Sequence, residues 1–401
     1  MKIIQVSRAC SRNEYDSILK NDSVKTNQSI LKFSGVMNQG FLDNGVEVEV
    51  FSQRPVNRKN CAYKYLAAKN EVDSGIRYHY CRIFNFRVIG KIYIILASFF
   101  YFLFKKKEKD QYIIVDTYAL TLLLGTLVAC KLRRFPCIGL VTDLPSISTH
   151  NAESKVKLKN KLNDYLIGRC DGLVLLTEQM NQIINPKKKP YIVVEGFASD
   201  TMRYETNELK DKCQPRKIVY TGALDVKYGL KMLVEGFLRA QIENCQLVIY
   251  GGGEYADELI HISSMNPSVV YGGIKTNDYV VSEQIHATLL VNPRFTSYEY
   301  NKYCFPGKNM EYMASGTPTL TTDLPGMPDE YRPYVFILQD ESVEGMADML
   351  HRILSLPAQE LHDKGLCAKK WMLEEKGAAK QTKRILHFLE NNMSEKNRGK
   401  L

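Results

Sequence analysis

The feature that most limits the fold of this chain is a regular alternation of short β-branched runs with longer amphipathic stretches. Repeated in this way, strands and helix-length connections build parallel α/β layers, because a parallel crossover lays a helix across the sheet face. KIIQV (Lys2–Val6) is the opening strand, followed by a polar loop and a helix over about 29–42. The pair Asn44-Gly45 stops that helix, and VEVEVFS (Val46–Ser52) is the next strand. YIIVD (Tyr112–Asp116), CIGLVTD (Cys137–Asp143), GLVLLT (Gly172–Thr177) and YIVVEG (Tyr191–Gly196) continue the series. After the polar stretch ASDTMRYETNELKDKCQPR the pattern restarts with KIVYTG (Lys217–Gly222), a helix over about 229–241, and CQLVIYGGG (Cys245–Gly253). VVYGG (Val269–Gly273), ATLLVNP (Ala287–Pro293) and TPTLTT (Thr317–Thr322) complete it.

This order predicts two Rossmann-like domains, 1–199 and 200–376, with a basic helix over about 377–391 packing back on the first. The length of 401 residues suits two domains of ordinary size. Their strand carboxyl ends are expected to face one central cleft, where open α/β sheets bind ligands. With 45% hydrophobic and 24% charged residues, the composition excludes a disordered or collagen-like chain. The N-terminus turns polar after six residues, unlike a secretory leader. Ten scattered cysteines form no CxxC pair, so a zinc site and a disulfide framework are not expected, and buried thiols in a cytoplasmic protein are.

The net charge of +10 is unevenly held. Residues 1–200 carry 30 Lys and Arg against 18 acids, and residues 201–401 carry 24 against 26. The basic runs are Lys105–Lys109, Lys131–Arg134, Lys155–Lys161 and Lys187–Lys189. Ahead of the first run lies Ile92–Phe104, thirteen residues without a charge. At 1.5 Å per residue that is too short to span ~30 Å of hydrocarbon. It reads either as a buried core helix or as an apolar face presented, with its lysine cluster, to an anionic membrane surface. No nucleic-acid motif accompanies the charge, and nucleic acid is not expected as a partner.

The densest chemical signal is FPGKNMEYMASGTPTLTTDLPGMPDEY (Phe305–Tyr331). It resembles the nucleotide-sugar signature F-P-x-K-x-x-E-Y-M-A-x-G-x-P of the family 4 glycosyltransferases, which have the GT-B fold. Phe305, Pro306 and Gly307 form a loop opening a helix, whose free N–H groups and positive dipole end suit a diphosphate. The resemblance implies that Glu311 accepts hydrogen bonds from a ribose diol and that Lys308 offsets phosphate charge. Gly316 and Thr317 return the chain to a strand within the donor site. Many family members carry a sugar-contacting Glu eight positions before the ribose Glu; here that position is Tyr303.

YTGALDVKYGLKMLVEGF (Tyr220–Phe237) resembles the family's first donor-domain strand–loop–helix, with Gly222 in the turn and Lys227 as the basic contact. The basic residues usual after the first Gly and before the second are Ala223 and Tyr228. Gly253, in the next glycine turn, and Arg294, after strand ATLLVNP, are further donor candidates. In the first half, Asp143 resembles the family position facing sugar and acceptor; it either orients an acceptor hydroxyl as a base or starts a loop. Glu178 and Glu195 are candidate cleft residues, His150 is read as structural or solvated, and Ser7 and Arg8 alone substitute for the missing glycines after the first strand.

The resemblance therefore implies a retaining, metal-independent hexosyltransferase acting on a nucleotide-diphosphate sugar, with Asp143, Lys227 and Lys308 in catalytic roles and no cofactor. The acceptor would be a saccharide, lipid-linked, in capsule, exopolysaccharide or lipopolysaccharide biosynthesis at the cytoplasmic face of the membrane. The alternatives are a nucleotide-sugar epimerase of the same fold and a non-catalytic nucleotide- or lipid-binding subunit.

Overall fold

The computed structural model describes residues 1–19, 28–56, 64–86, 88–148 and 154–394. His150 lies outside these. The chain divides into two compact units, Met1–Phe197 with the C-terminal segment from Ala378, and Ala198–Gly377.

The first unit contains strands β1 (Lys2–Ser7), β2 (Glu47–Ser52), β3 (Tyr65–Leu66), β4 (Lys69–Asp73) and β5 (Ile76–Tyr80). It continues with β6 (Ile83–Phe84), β7 (Gln111–Asp116), β8 (Cys137–Val141), β9 (Gly172–Leu175) and β10 (Tyr191–Val193). Eight of them form one sheet in the order β10-β9-β8-β7-β1-β2-β5-β4, parallel except for β4 against β5. Continuous apolar runs such as YIIV suit its fully buried strands.

The short strands β3–β6 and the helix Arg12–Leu19 are additions to the sequence pattern. Between β4 and β5, Ser74 (φ 51°) and Gly75 (φ 84°) form a two-residue turn of the kind that matches strand twist. The dipeptide Ser-Gly was its signal, muted because β4 is a mostly exposed edge without apolar alternation. The last helix, Ala378–Met393, buries Ile385, Phe388 and Leu389 in the core of this unit, beside Met37 and Phe41.

An ion cluster ties together the neighbouring strands β1, β2 and β5 of this sheet. Glu49 on β2 is 2% exposed and pairs with Lys2 at 3.2 Å and His79 Nε2 at 3.2 Å, and accepts hydrogen bonds from Tyr101 and Lys105. Burial opposes its ionisation, but the bonds from His79, Lys105 and Tyr101 prevail and hold the carboxyl below the usual range. Glu49→Ala would leave Lys105 without its buried counter-charge, while Lys2 keeps Glu47 at 3.2 Å and Glu108 at 3.1 Å, costing about 3–5 kcal/mol. Urea unfolding checks this, and a loss under about 1 kcal/mol would show the cluster to be dispensable.

The second unit contains β11 (Arg216–Ala223), β12 (Cys245–Gly252), β13 (Val269–Gly273), β14 (Leu289–Asn292), β15 (Thr319–Thr322) and β16 (Phe336–Leu338). All are parallel, in the order β13-β12-β11-β14-β15-β16. That is the doubly wound order 3-2-1-4-5-6, whose switch point falls between β11 and β14. The helix Leu230–Ala240 buries Leu230, Leu233, Val234 and Phe237, a 3.6-residue stripe, and ends at Gln241 in the left-handed region (φ 47°). Both units thus have the α/β architecture expected of the GT-B fold.

Candidate functional site

The carboxyl ends of β11 and β14 are adjacent in the sheet, and the chain leaves each of them through tight turns. Gly229 (φ 78°) opens the helix after β11, and a Cβ there would sit 1.7 Å from the Pro293 carbonyl oxygen. Gly251 (φ 144°) packs equally closely on Gly222, and a Cβ on Gly253 would meet the Leu224 carbonyl at 2.4 Å. Glycine therefore lets the three loops of β11, β12 and β14 interlock.

Helix Gly307–Ser315 carries the signature. Pro306, its cap residue, offers no side-chain hydrogen bond and Gly307 is exposed; the Asn309 N–H already donates to the Pro306 carbonyl at 2.9 Å, which leaves the N–H groups of Gly307 and Lys308 at the helix tip. In this first turn, Lys308 Nζ donates to Thr221 Oγ1 at 3.1 Å and lies 3.4 Å from Glu311. Its Cε lies 3.5 Å from the place a Cβ on Gly222 would take. Glu311, whose side chain is 17% exposed, accepts a bond from Gln284 Nε2 at 2.7 Å. Gln284, itself fully buried, also donates to Thr221 Oγ1 at 3.1 Å. The buried Tyr312 hydroxyl accepts the Thr221 N–H at 2.8 Å. Gly222, Lys308 and Glu311 are thereby brought together.

Sequence reasoning missed Thr221, Gln284 and Tyr312, which aim them. Tyr312 stood inside the signature, whereas a lone Gln in the helix Asn277–His286 carried no pattern of its own.

A second group of cations gathers on Tyr228. The Arg294 guanidinium lies 4.3 Å from the ring centroid and Lys227 Nζ 5.2 Å from it. The two cations differ in their state. Lys227 is paired with Asp225 at 2.5 Å, and that bond raises its pKa. Arg294 donates only weakly, to Cys304 Sγ at 3.6 Å; its Nε is buried without a partner, and no carboxylate pairs with it among the described residues. A half-buried guanidinium with a buried Nε and no carboxylate partner among the described residues is a physical pointer to an anionic ligand.

Other predicted donor residues take scaffold positions. Phe305 is buried against Tyr331, with ring centroids 4.8 Å apart. Thr317 is fully buried and donates to the Gln284 carbonyl at 2.7 Å while accepting from Lys212 Nζ at 3.0 Å. This corrects its assignment to the donor: its hydroxyl is consumed in fixing the helix that carries Gln284. Gly316 (φ 81°) caps the signature helix. Burial lowers the Lys212 pKa to about 8. An ammonium whose folded pKa lies below its unfolded one costs stability at low pH, and the cost fades as pH rises from about 8 to 10.5. Lys212→Met is expected to remove this rise, of up to about 3 kcal/mol, from a pH series of thermal unfolding; an identical slope in both proteins would contradict it.

Asp143 belongs to the first unit, half-buried at the end of β8, where its Oδ1 accepts the Leu144 N–H at 2.8 Å. Glu178 bonds the Tyr191 hydroxyl at 2.7 Å, and the buried Glu195 accepts from Gln381 at 3.1 Å. At the switch point of this sheet, between β1 and β7, Arg8 stands 5.4 Å from the Tyr118 ring centroid. Asp116, which the sequence reading passed over as a strand end, is buried there with Oδ1 on the Tyr118 N–H at 3.0 Å. Its Oδ2 and two nitrogens of Arg8 are buried without partners among the described residues. Burial pushes the Asp116 carboxyl up, and Arg8 opposes the rise.

The fold is that of a two-domain α/β protein of GT-B type, with Lys308, Arg294 and a helix tip gathered near the switch point of its second unit. Residues 215–355 match the family model described as "Glycosyl transferases group 1". No curated protein sequence matches the chain. Among solved structures it is similar to sucrose-phosphate synthase from Thermosynechococcus elongatus, with 13% identity, TM-score 0.69, and 98% of this chain and 99% of that one covered. The trehalose-6-phosphate synthase OtsA is similar at 10% identity and TM-score 0.69, covering 97% and 99%. HepE of Anabaena, solved in complex with UDP, is similar at 11% identity and TM-score 0.64, covering 98% and 100%. These likenesses establish the fold.

Proposed function

We propose that the chain is a retaining glycosyltransferase that moves a sugar from a nucleoside-diphosphate donor to a hydroxyl of a saccharide acceptor. The observation that carries this reading is the grouping of Glu311, Lys308, Arg294 and an uncapped helix tip around one sheet switch point, within the segment that matches the family model. Glu311 grips the ribose diol. Lys308, Arg294 and the helix N–H groups meet the diphosphate, and the chain's own cations rather than a divalent metal offset its charge. As the bond from the anomeric carbon to the diphosphate oxygen breaks, negative charge grows on the leaving group, where fixed cations stabilise the transition state more than the ground state. The acceptor oxygen forms the new bond and loses its proton, with Asp143 as the candidate receiving carboxylate. The acceptor is a lipid-linked saccharide at the inner membrane face, in assembly of a surface polysaccharide.

A thermal-shift and native-mass screen of nucleoside diphosphates and their sugars tests the donor half. A diphosphate is expected to raise the melting temperature, and the matching nucleoside is not. No stabilisation by any diphosphate would overturn the reading, and release of an epimerised sugar without acceptor would replace it with an epimerase.

A further inference from the structure

Lys91 apart, the helix Ile89–Phe104 is without charge, yet only one side of it is covered. Gly90, Ile94, Ser98 and Phe102 face inward, spaced four apart: Gly90 backs on Phe84, Phe102 meets Phe51, and a Cβ on Gly125 of the helix Leu120–Arg133 would sit 2.2 Å from the Ile95 carbonyl and the Ser98 hydroxyl. On the opposite side, Ile89, Ile92, Leu96, Phe100 and Phe104 are 64, 52, 46, 47 and 77% exposed. At 100° per residue these five fall within an arc of about 120°. Five large apolar side chains in one stripe are more than the scattered exposure of an ordinary surface.

The stripe continues on its neighbours. The Arg133 guanidinium donates to the carbonyl oxygens of Leu103 (2.7 Å) and Lys105 (3.3 Å), tying the C-terminal ends of the two helices together. That places Leu132, 64% exposed, at the same end as Phe104. The helix Ser154–Ile167 packs on the far side of Leu120–Arg133 and exposes Leu158, Leu162 and Tyr165 along one face. The three helices lie side by side, each with an uncovered apolar row.

The charge around these rows has one sign. Segments 89–109, 131–134 and 154–165 hold twelve Lys and Arg against two acids. Lys105 is drawn inward to Glu49, whereas Lys106, Lys107, Lys109, Lys131, Lys157 and Lys159 are exposed. Among the described residues no helix is long and apolar enough to cross a membrane, and the inward face of Ile89–Phe104 is committed to protein packing. The helix therefore has the means to lie in an interface but not to span it.

We infer that this three-helix face is a membrane-docking surface that inserts its apolar rows into the headgroup boundary of an anionic bilayer. Lysines at the rim supply the attraction to anionic lipid, and the Phe100–Phe104 end supplies the insertion. A second copy of the chain is the poorer occupant, because face-to-face pairing would oppose these cations to one another. The inference extends the reading of a lipid-linked acceptor, but its test uses no substrate and so can fail separately.

Vesicle sedimentation of the full chain decides it. Binding to phosphatidylcholine vesicles carrying about a third phosphatidylglycerol is expected to exceed binding to pure phosphatidylcholine at least tenfold and to weaken with salt. Leu96→Glu with Phe100→Glu is expected to lower it at least tenfold, and so is Leu158→Glu with Leu162→Glu, on a separate helix. In both variants the thermal shift given by a nucleoside diphosphate should be unchanged, which separates lost docking from lost folding. Equal binding to both vesicle types, undiminished binding by the two variants, or self-association in solution that the variants abolish would each overturn the inference.

Discussion

Glu311→Gln is expected to weaken binding of a nucleoside diphosphate by about 10- to 100-fold while leaving the melting temperature of the free protein nearly unchanged. The carboxylate is held by Gln284 at 2.7 Å and by Lys308 at 3.4 Å. Both bonds fall on Oε1, and a carboxylate has about four lone-pair sites in all with which to meet donors. Hydrogen bonds to a charged group are worth about 1.5–3 kcal/mol, and each 1.4 kcal/mol is tenfold in affinity. The amide of Gln can still present its oxygen to Gln284, which preserves the internal bond and the fold, but it turns a donor toward a ligand that also donates. Titration calorimetry with the diphosphate found in the screen measures the change. Gln284→Ala provides the graded control, because it loosens Glu311 without removing its charge; a loss of about threefold to tenfold is expected. Undiminished affinity in Glu311→Gln would remove this residue from the donor site.

How far the sequence reached depended on whether a residue's part was local. The parallel strands were legible because buried runs such as YIIV and CIGL have no other way to satisfy both sheet faces. The edge hairpin β4–β5 was not, since KNEVD alternates too weakly to mark a buried face. β16 was missed for want of length, with only three residues from Phe336 to Leu338. Within the site, Lys308 and Glu311 were legible as one turn of a motif. Gln284 was not, because what gives it meaning is a distance of 27 positions along the chain closed to 2.7 Å by the sheet order. Thr317 was misread for the same reason: its place in the signature suggested a ligand, but its lone pairs and proton are taken by Gln284 and Lys212. Asp116 shows the converse. A strand-ending Asp carries no signal in sequence, and only the orphaned Oδ2 beside Arg8 marks it.

Arg294 and Lys227 should separate sharply in a transfer assay, although both stand over the ring of Tyr228. Arg294→Ala is expected to lower kcat by about 100- to 1000-fold, the loss of roughly 3–4 kcal/mol associated with removing one preorganised group from a developing charge. Among the described residues its guanidinium has no carboxylate to compensate it and its buried Nε no partner, so its field acts on the leaving group with little screening. Lys227 is already half neutralised by Asp225 at 2.5 Å and is about half exposed, so solvent and the carboxylate both screen it. Lys227→Ala is accordingly expected to change kcat by less than about tenfold, with most of the effect in KM. Arg294→Lys adds a further discrimination: an ammonium keeps the charge but loses the planar stack on Tyr228 and the forked donors, so it should restore only part of the rate. Steady-state kinetics on the three variants, at saturating acceptor, read this directly. Equal losses in Arg294→Ala and Lys227→Ala would mean that the Asp225 pair opens when donor binds and that both cations reach the diphosphate. A silent Arg294→Ala would move the leaving-group site away from Tyr228 and onto the helix tip and Lys308 alone.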